Sequence, residues 1–212
     1  MRAFSHFSIR FRDGQLEVLD QTVLPDHEVW LVSKCHSDMV GFIQRLAVRG
    51  APMIAVAACL ALALEASRGA SESDLRRFAA ELRASRPTAV NLMNSMDRLV
   101  PPPPHLHPIS SAKLIAEAYQ IMADEVEMNN RMAHCGAALV QHGEAILTHC
   151  NTGSLATPGV GTALGVIREA HKQVRKRAGK VCVFSCLFEK GKKIHVYVDE
   201  TRPLLQGGRL TA

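Results

Sequence analysis

The segment Ala51 to Leu64 (APMIAVAACLALAL) carries no charged side chain. A helix that is apolar on every side has to be covered on every side. It is also far too short to span a bilayer. The rest of the chain is therefore expected to wrap around it as a central buried helix. Pro52 suits the first helical position, where its missing N–H costs nothing. No Ser, Thr, Asp or Asn stands ahead of the helix as a cap, so its first N–H groups lack a side-chain partner. They lie beside Arg49 and the flexible Gly50. A buried helix start with open N–H groups and an adjacent Arg is a ready anion site.

A chain of 212 residues holds one large or two small domains and can bury a proper core. Ile9 and Phe11 alternate before Asp13-Gly14, and Leu16 and Val18 alternate after it, which predicts a β-hairpin. His27 to Val32 is a third short strand. Ser37 to Val48 spaces Met39, Val40, Ile43, Leu46 and Ala47 at helical period. Asp74 to Ala84 reads as a surface helix, and Arg86-Pro87-Thr88 as the start of another carrying Val90 to Leu99. Pro101 to Pro108 is a stiff, extended loop. From Ile109 to Leu139 the chain is helical, with Leu114, Ile115, Ala118, Ile121, Met122, Val126 and Met132 on one side. A boundary is expected near Gln141 to Glu144, between a mainly helical domain (1–141) and an α/β domain (142–212).

The second domain opens on AILTHCNTG, residues 145–153. A short apolar run ends in Thr148, His149 and Cys150, then in turn-formers. That is how a buried parallel strand delivers side chains to a site. A Gly-rich helix entry (Gly159 to Ala170) and a strand (Lys193 to Val198) follow, the order in which open α/β sheets bind ligands at strand ends. A lone Cys at a strand end is more often a small core residue than a nucleophile. Cys150, in a polar loop, is the better candidate for chemistry. His149 alternates to the opposite side of an extended backbone and need not touch it. Gly159-x-Gly161-x-x-x-Gly165 has neither the spacing nor the position of a dinucleotide fingerprint. Cys182, Cys186 and His195 miss the usual zinc-knuckle spacing.

Arg49, Arg86 and Arg202 each precede a predicted helix start. Arg matches a phosphate bidentately, and a helix start adds N–H donors. A net charge of +5 suits an anionic small molecule, and the scattered Lys and Arg residues do not predict nucleic-acid binding. Six cysteines without disulfide-framework spacing suit a reducing compartment. Met1 to Phe11 has no apolar core of a secretory signal. Cytoplasmic residence is expected, with the nucleus open to a eukaryotic chain, and no membrane association.

VRGAP (48–52), RPTAVN (86–91), ILTHCNTGSLAT (146–157), GTALGVI (161–167) and DETRPLLQGGRLTA (199–212), with RDGQLEVLDQTVLP (12–25), resemble the methylthioribose-1-phosphate isomerase family. The motifs run in the family's order through the whole chain. The resemblance implies a mainly helical domain with a β-hairpin start, then a truncated Rossmann-like α/β domain. It implies conversion of 5-methylthioribose 1-phosphate to 5-methylthioribulose 1-phosphate in methionine salvage, without metal or nucleotide cofactor. It makes Cys150 catalytic and gives Arg49, Gly50, Ala51, Arg86 and Gln206 to the substrate. Arg202 matches a motif but takes no role from it.

Three departures accompany the resemblance. The chain ends before the family's second catalytic group, an Asp, and its Asn-Lys pair. Low activity is therefore expected, and the family's homodimer is in doubt. Val160 stands where the family has Tyr. Val174 to Lys190 reads as an insertion with a sticky VCVFSCLF core. The related initiation factor two B regulatory subunits, which bind without catalysing, are one rival. Ribose-1,5-bisphosphate isomerase is another, and a dinucleotide-binding protein a third.

Overall fold

A computed structural model of the chain describes residues 1–102, 108–177, 194–202 and 204–211, with side chains as far as 172 in the last helix. Four short strands come first: β1 (Phe4–Ser5), β2 (Ile9–Arg12), β3 (Gln15–Leu19) and β4 (Trp30–Ser33), paired antiparallel in chain order. Asp13 and Gly14 make the predicted hairpin turn, both at positive φ. Ile9, Phe11, Leu16 and Val18 are buried, the inward set the alternation predicts. The strand expected over His27 to Val32 is confined to β4.

α1 (His36–Gln44) ends four residues before the pattern suggests, because Leu46 turns left-handed at φ +66°. That turn frees the backbone leading to Arg49. α2 (Ala51–Ser67) is the predicted central helix. From Met53 to Leu64 every residue is at most 3 % exposed. At about 1.5–3 kcal/mol per large apolar side chain, it is the main source of stabilisation in this half of the molecule. α1, α3 (Glu72–Ala84), α4 (Val90–Leu99), α5 (Ser111–Leu139) and β3 all pack on it. His36 ties three of these helices together. Its ring lies 3.2 Å from Glu65 on α2 and 2.9 Å from Glu81 on α3, stacked on Phe78. The contact with His36 holds the Glu81 carboxyl below the usual range.

α5 departs from its expected face at its C-terminal end. Met132 is 40 % exposed, and Ala133 and Ala137 are buried instead. The reason is α6 (Ala163–Arg177), which crosses α5 so closely that a Cβ on Gly136 would lie 2.7 Å from Val166 Cγ2. Only small residues fit that crossing, so the large Met faces outward. Gly136→Leu is expected to destabilise the chain by about 1–3 kcal/mol, the usual cost of overpacking. Chemical denaturation checks this. An unchanged midpoint would mean that α6 does not need this approach.

α6 starts at Ala163, four residues later than Gly159. Gly159 and Gly165 lie against Asn129, Val126 and Ala133 of α5. Gly159 and Gly165 therefore serve a close approach to α5, while Gly161, at φ +97°, packs against Thr152 and Gly153. β5 (Ala145–His149) and β6 (His195–Asp199) form a separate parallel pair, with α6 packed against β5. One face of the pair (Ile146, Thr148, Val196, Val198) is covered, wholly or in part. Leu147 is 66 % and Tyr197 55 % exposed on the other, so β5 is a half-covered strand where a fully buried one was expected. The architecture is thus α/β: a helical body with a small antiparallel sheet, followed by a parallel β-α-β unit. Pro103 to His107, Cys182, Cys186, Pro203 and most of the Val174 to Lys190 stretch lie outside the described residues. Residues 207–211 form a short π-helical turn (Gly207–Thr211), not the α-helix expected after Arg202. No described helix is long and apolar enough to cross a membrane.

Candidate functional site

Cys150 lies just past the end of β5, half-buried, at φ +70°. Positive φ in a non-glycine residue is costly and points to a constraint worth explaining. Three of the four such residues stand in or just before the predicted site: Leu46 ahead of Arg49, Cys150 itself, and Leu205 ahead of Gln206. The twist turns the Cys150 thiol toward Gln206, with Sγ 3.5 Å from the Gln206 Oε1. Thr211 Oγ1 donates to the Cys150 carbonyl at 3.0 Å. His149 points the other way, toward Asp199 at 3.4 Å, both exposed. The side chains of these adjacent residues thus take different partners, with the left-handed turn at Cys150 setting the direction of the thiol.

Gln206 is held by its loop. The Glu200 carboxylate accepts from the N–H groups of Thr201, Gly207 and Gly208 at 2.9–3.1 Å. Desolvation opposes ionisation there, but the Gly208, Gly207 and Thr201 N–H groups hold its carboxyl below the usual range. The loop folds so tightly that a Cβ on Gly207 would strike the Asp199 carbonyl.

Arg49 is 4 % exposed at the start of α2. Burial draws its pKa down, the charges of Arg209 and Arg86 act the same way, and Cys150 pushes back. Arg209, Arg86 and Cys150 therefore all lie within electrostatic reach of Arg49. Arg49, Arg86 and Arg209 have no carboxylate partner among the described residues, although Asp and Glu pair with Arg10, Arg77, Arg83 and Arg98 elsewhere. Arg86 sits in the turn between α3 and α4, four residues ahead of Val90 and not at the helix start itself. Its Nη1 is buried without a hydrogen-bond partner. A buried guanidinium nitrogen left unpaired carries a desolvation cost that an anion would remove.

The helix start is narrower than its sequence suggests. Gly50 provides no side-chain cap and Pro52 no N–H, as expected. Met53 N–H, however, already donates to Ala156 O at 3.1 Å. Gly50 runs at φ +85° against the same residue. The 150–156 loop is thereby pinned onto α2, which brings Cys150, Gly50, Ala51 and Arg49 to one place.

The structure thus brings Cys150, Gln206, Arg49, Gly50, Ala51 and Arg86 together. It does not bring Arg202 in: Arg202 is exposed and acts on Glu200. The third cation is Arg209, which helix-start reasoning misses because it lies inside the π-turn. The signal available was its place two residues after Gly207 in the Gln206-Gly-Gly-Arg run. Among the described residues no group of His, Cys, Asp or Glu is placed to hold a metal ion. A groove of about 570 Å³ between α3 and α4, lined by Arg83, Met96 and Pro101 among others, lies apart from these residues.

A family model described as the initiation factor 2 subunit family matches residues 47–212. The methylthioribose-1-phosphate isomerase of Cronobacter sakazakii is 46% identical over all 212 residues, which cover 57% of that protein. The enzyme of the same name from Yersinia pestis is 45% identical over 205 residues, 97% of this chain and 54% of its own length. The chain thus spans little more than half the length of these curated relatives. Among solved structures, 5-methylthioribose 1-phosphate isomerase from Pyrococcus horikoshii superposes with a TM-score of 0.75 at 30% identity, covering 99% of this chain and 56% of that one. The delta subunit of translation initiation factor eIF-2B from A. fulgidus gives 0.70 at 34% identity, with 98% and 58% covered.

Proposed function

This chain belongs to the initiation factor 2 subunit family, and we propose that it works on the family's isomerase side, on 5-methylthioribose 1-phosphate. In this reading the phosphate is bound by Arg49 and Arg86 at the start of α2, with Gly50 and Ala51 against it. The sugar lies between the helical part up to residue 141 and the α/β part from 142. Cys150 and Gln206 face the ring. The site needs a free thiol and therefore a reducing compartment, the cytoplasm.

The chemistry follows from the substrate. Phosphate on the anomeric oxygen prevents free ring opening. A proton must reach the ring oxygen as its bond to C1 breaks. Hydrogen must then pass from C2 to C1, and the C2 hydroxyl must lose its proton to become the ketone. Atoms balance, since one proton is gained at the ring oxygen and one lost at C2. Cys150 is assigned a proton-transfer role, and Gln206 orients the sugar by hydrogen bonding.

One observation carries this reading: Arg86, Arg209 and Cys150 all act electrostatically on buried Arg49, no carboxylate among the described residues pairs with any of the three guanidinium groups, and Arg86 Nη1 is buried and unpartnered. A protein of the regulatory class would have no need of Cys150 in a left-handed conformation against Gln206. Calorimetric titration with the sugar phosphate tests it. Arg86→Ala is expected to weaken binding about ten- to a hundredfold, the worth of one or two charge-assisted hydrogen bonds. Equal affinity in the parent and Arg86→Ala proteins would refute the phosphate assignment.

A further inference from the structure

Gln206 reaches Cys150 from the far end of the chain, and the Glu200 contacts that shape its loop do not tie that loop to the rest of the molecule. Arg209 does. Its Nε and Nη2 donate to Leu24 O at 3.0 and 2.6 Å. Nη2 also reaches Thr22 O at 2.8 Å and Gln21 O at 3.2 Å, and Nη1 reaches Leu204 O at 3.0 Å. A planar guanidinium presents its donors in a fixed fork that spans several carbonyls at once, a geometry the single nitrogen of a lysine does not reproduce. The Gln21, Thr22 and Leu24 carbonyls belong to the turn after β3, more than 180 residues away in sequence.

That turn is also where Gln21 lies, 1 % exposed. Gln21 Nε2 donates to Leu155 O at 2.8 Å, and its Oε1 accepts from Asn151 Nδ2 at 3.2 Å. Its backbone N–H donates to Ala47 O at 3.0 Å, two residues before Arg49. One buried residue therefore ties together the approach to Arg49, the Cys150 loop and, through Arg209, the Gln206 segment. We infer that Gln21 and Arg209 are positioning residues of this site: a clamp that keeps the Cys150 thiol and Gln206 in apposition without either touching the sulfur. The inference rests on the reading that Cys150 and Gln206 both face the sugar.

The test is the rate at which iodoacetamide alkylates Cys150 in the 212-residue chain, read peptide by peptide, with no sugar phosphate present. Buried Cys59 in α2 serves as the internal reference for global opening. Arg209→Ala and Gln21→Ala are each expected to speed Cys150 alkylation about tenfold while Cys59 stays protected, as local opening does. The double variant is expected to add little, since either substitution alone releases the same Cys150–Gln206 apposition. Guanidinium ion at low millimolar concentration is expected to slow alkylation again in Arg209→Ala but not in Gln21→Ala. An unchanged Cys150 rate in both variants overturns the inference, and so does Cys59 opening in step with Cys150. If the alanine variants do not fold, Arg209→Lys decides. A several-fold faster Cys150 with Cys59 protected supports the clamp, and the parent rate refutes it. Because no sugar phosphate is involved, this result is independent of the binding titration on Arg86.

Discussion

With Cys150 replaced by alanine in a version of the chain extended to the full length of its relatives, formation of the ketose is expected to fall about 10²–10⁴-fold relative to the unsubstituted form, the range that one proton-transferring side chain contributes. Affinity for the sugar phosphate is expected to stay within about threefold, because the phosphate is assigned to Arg49 and Arg86 and not to the thiol. The fold should survive the change. Cys150 is half-buried and makes one side-chain hydrogen bond, to Gln206, and the alanine retains the Cβ that already occupies the left-handed backbone. The split between turnover and affinity is the informative part. Loss of both together would make Cys150 a packing residue, and retention of the rate would remove it from the chemistry. Product formation and calorimetric titration on the same preparation separate these outcomes.

The second large effect is structural and lies at Gly50. Any side chain there meets two penalties at once. The backbone runs at φ +85°, and a Cβ would lie 2.5 Å from Ala156 O and 2.6 Å from Ala156 Cα. The first costs about 1–3 kcal/mol. The second cannot be relieved by a rotamer change, since the obstacle is backbone, and overpacking adds about 1–3 kcal/mol more. Gly50→Ala is therefore expected to lower stability by about 2–6 kcal/mol. The Ala156 segment must move away, which breaks the Met53 N–H bond to Ala156 O and shifts the Cys150 loop off the start of α2. Chemical denaturation should show the loss, and sugar-phosphate affinity should fall with it. A Gly50→Ala protein of parent stability would mean that the loop does not sit on the helix start as described.

The contrast between these two positions shows what local sequence could reveal. α2 was legible because fourteen consecutive uncharged residues admit only a buried helix. The hairpin was legible because Asp13-Gly14 separates two alternating runs. The thiol loop was legible because an apolar run stops at Thr148-His149-Cys150. All of these are patterns within one segment. What stayed hidden depends on pairs of segments. Met132 faces solvent because α6 crosses α5 at Gly136. Arg86 lies in a turn ahead of α4 yet still joins the site through tertiary packing. Arg209 replaces Arg202 as the third cation because the chain after β6 folds back as a π-turn. Gln21 looks like an ordinary turn residue until the 150–156 loop and Arg209 arrive to use its polar atoms. Periodicity cannot report hydrogen bonds that span more than a hundred residues. The resemblance to a known family supplied the substrate-contact set Arg49, Gly50, Ala51, Arg86 and Gln206, but not the clamp that holds Gln206 in place.

The central claim is that a sugar phosphate binds with its anion at Arg49 and Arg86 and its ring against Cys150. The most direct measurement is the rate of Cys150 alkylation in the parent protein as 5-methylthioribose 1-phosphate is added. Saturable protection of Cys150 is predicted, absent with unphosphorylated 5-methylthioribose and shifted to about ten- to a hundredfold higher concentration in Arg86→Ala. Alkylation of Cys150 at an unchanged rate under millimolar sugar phosphate would contradict the claim.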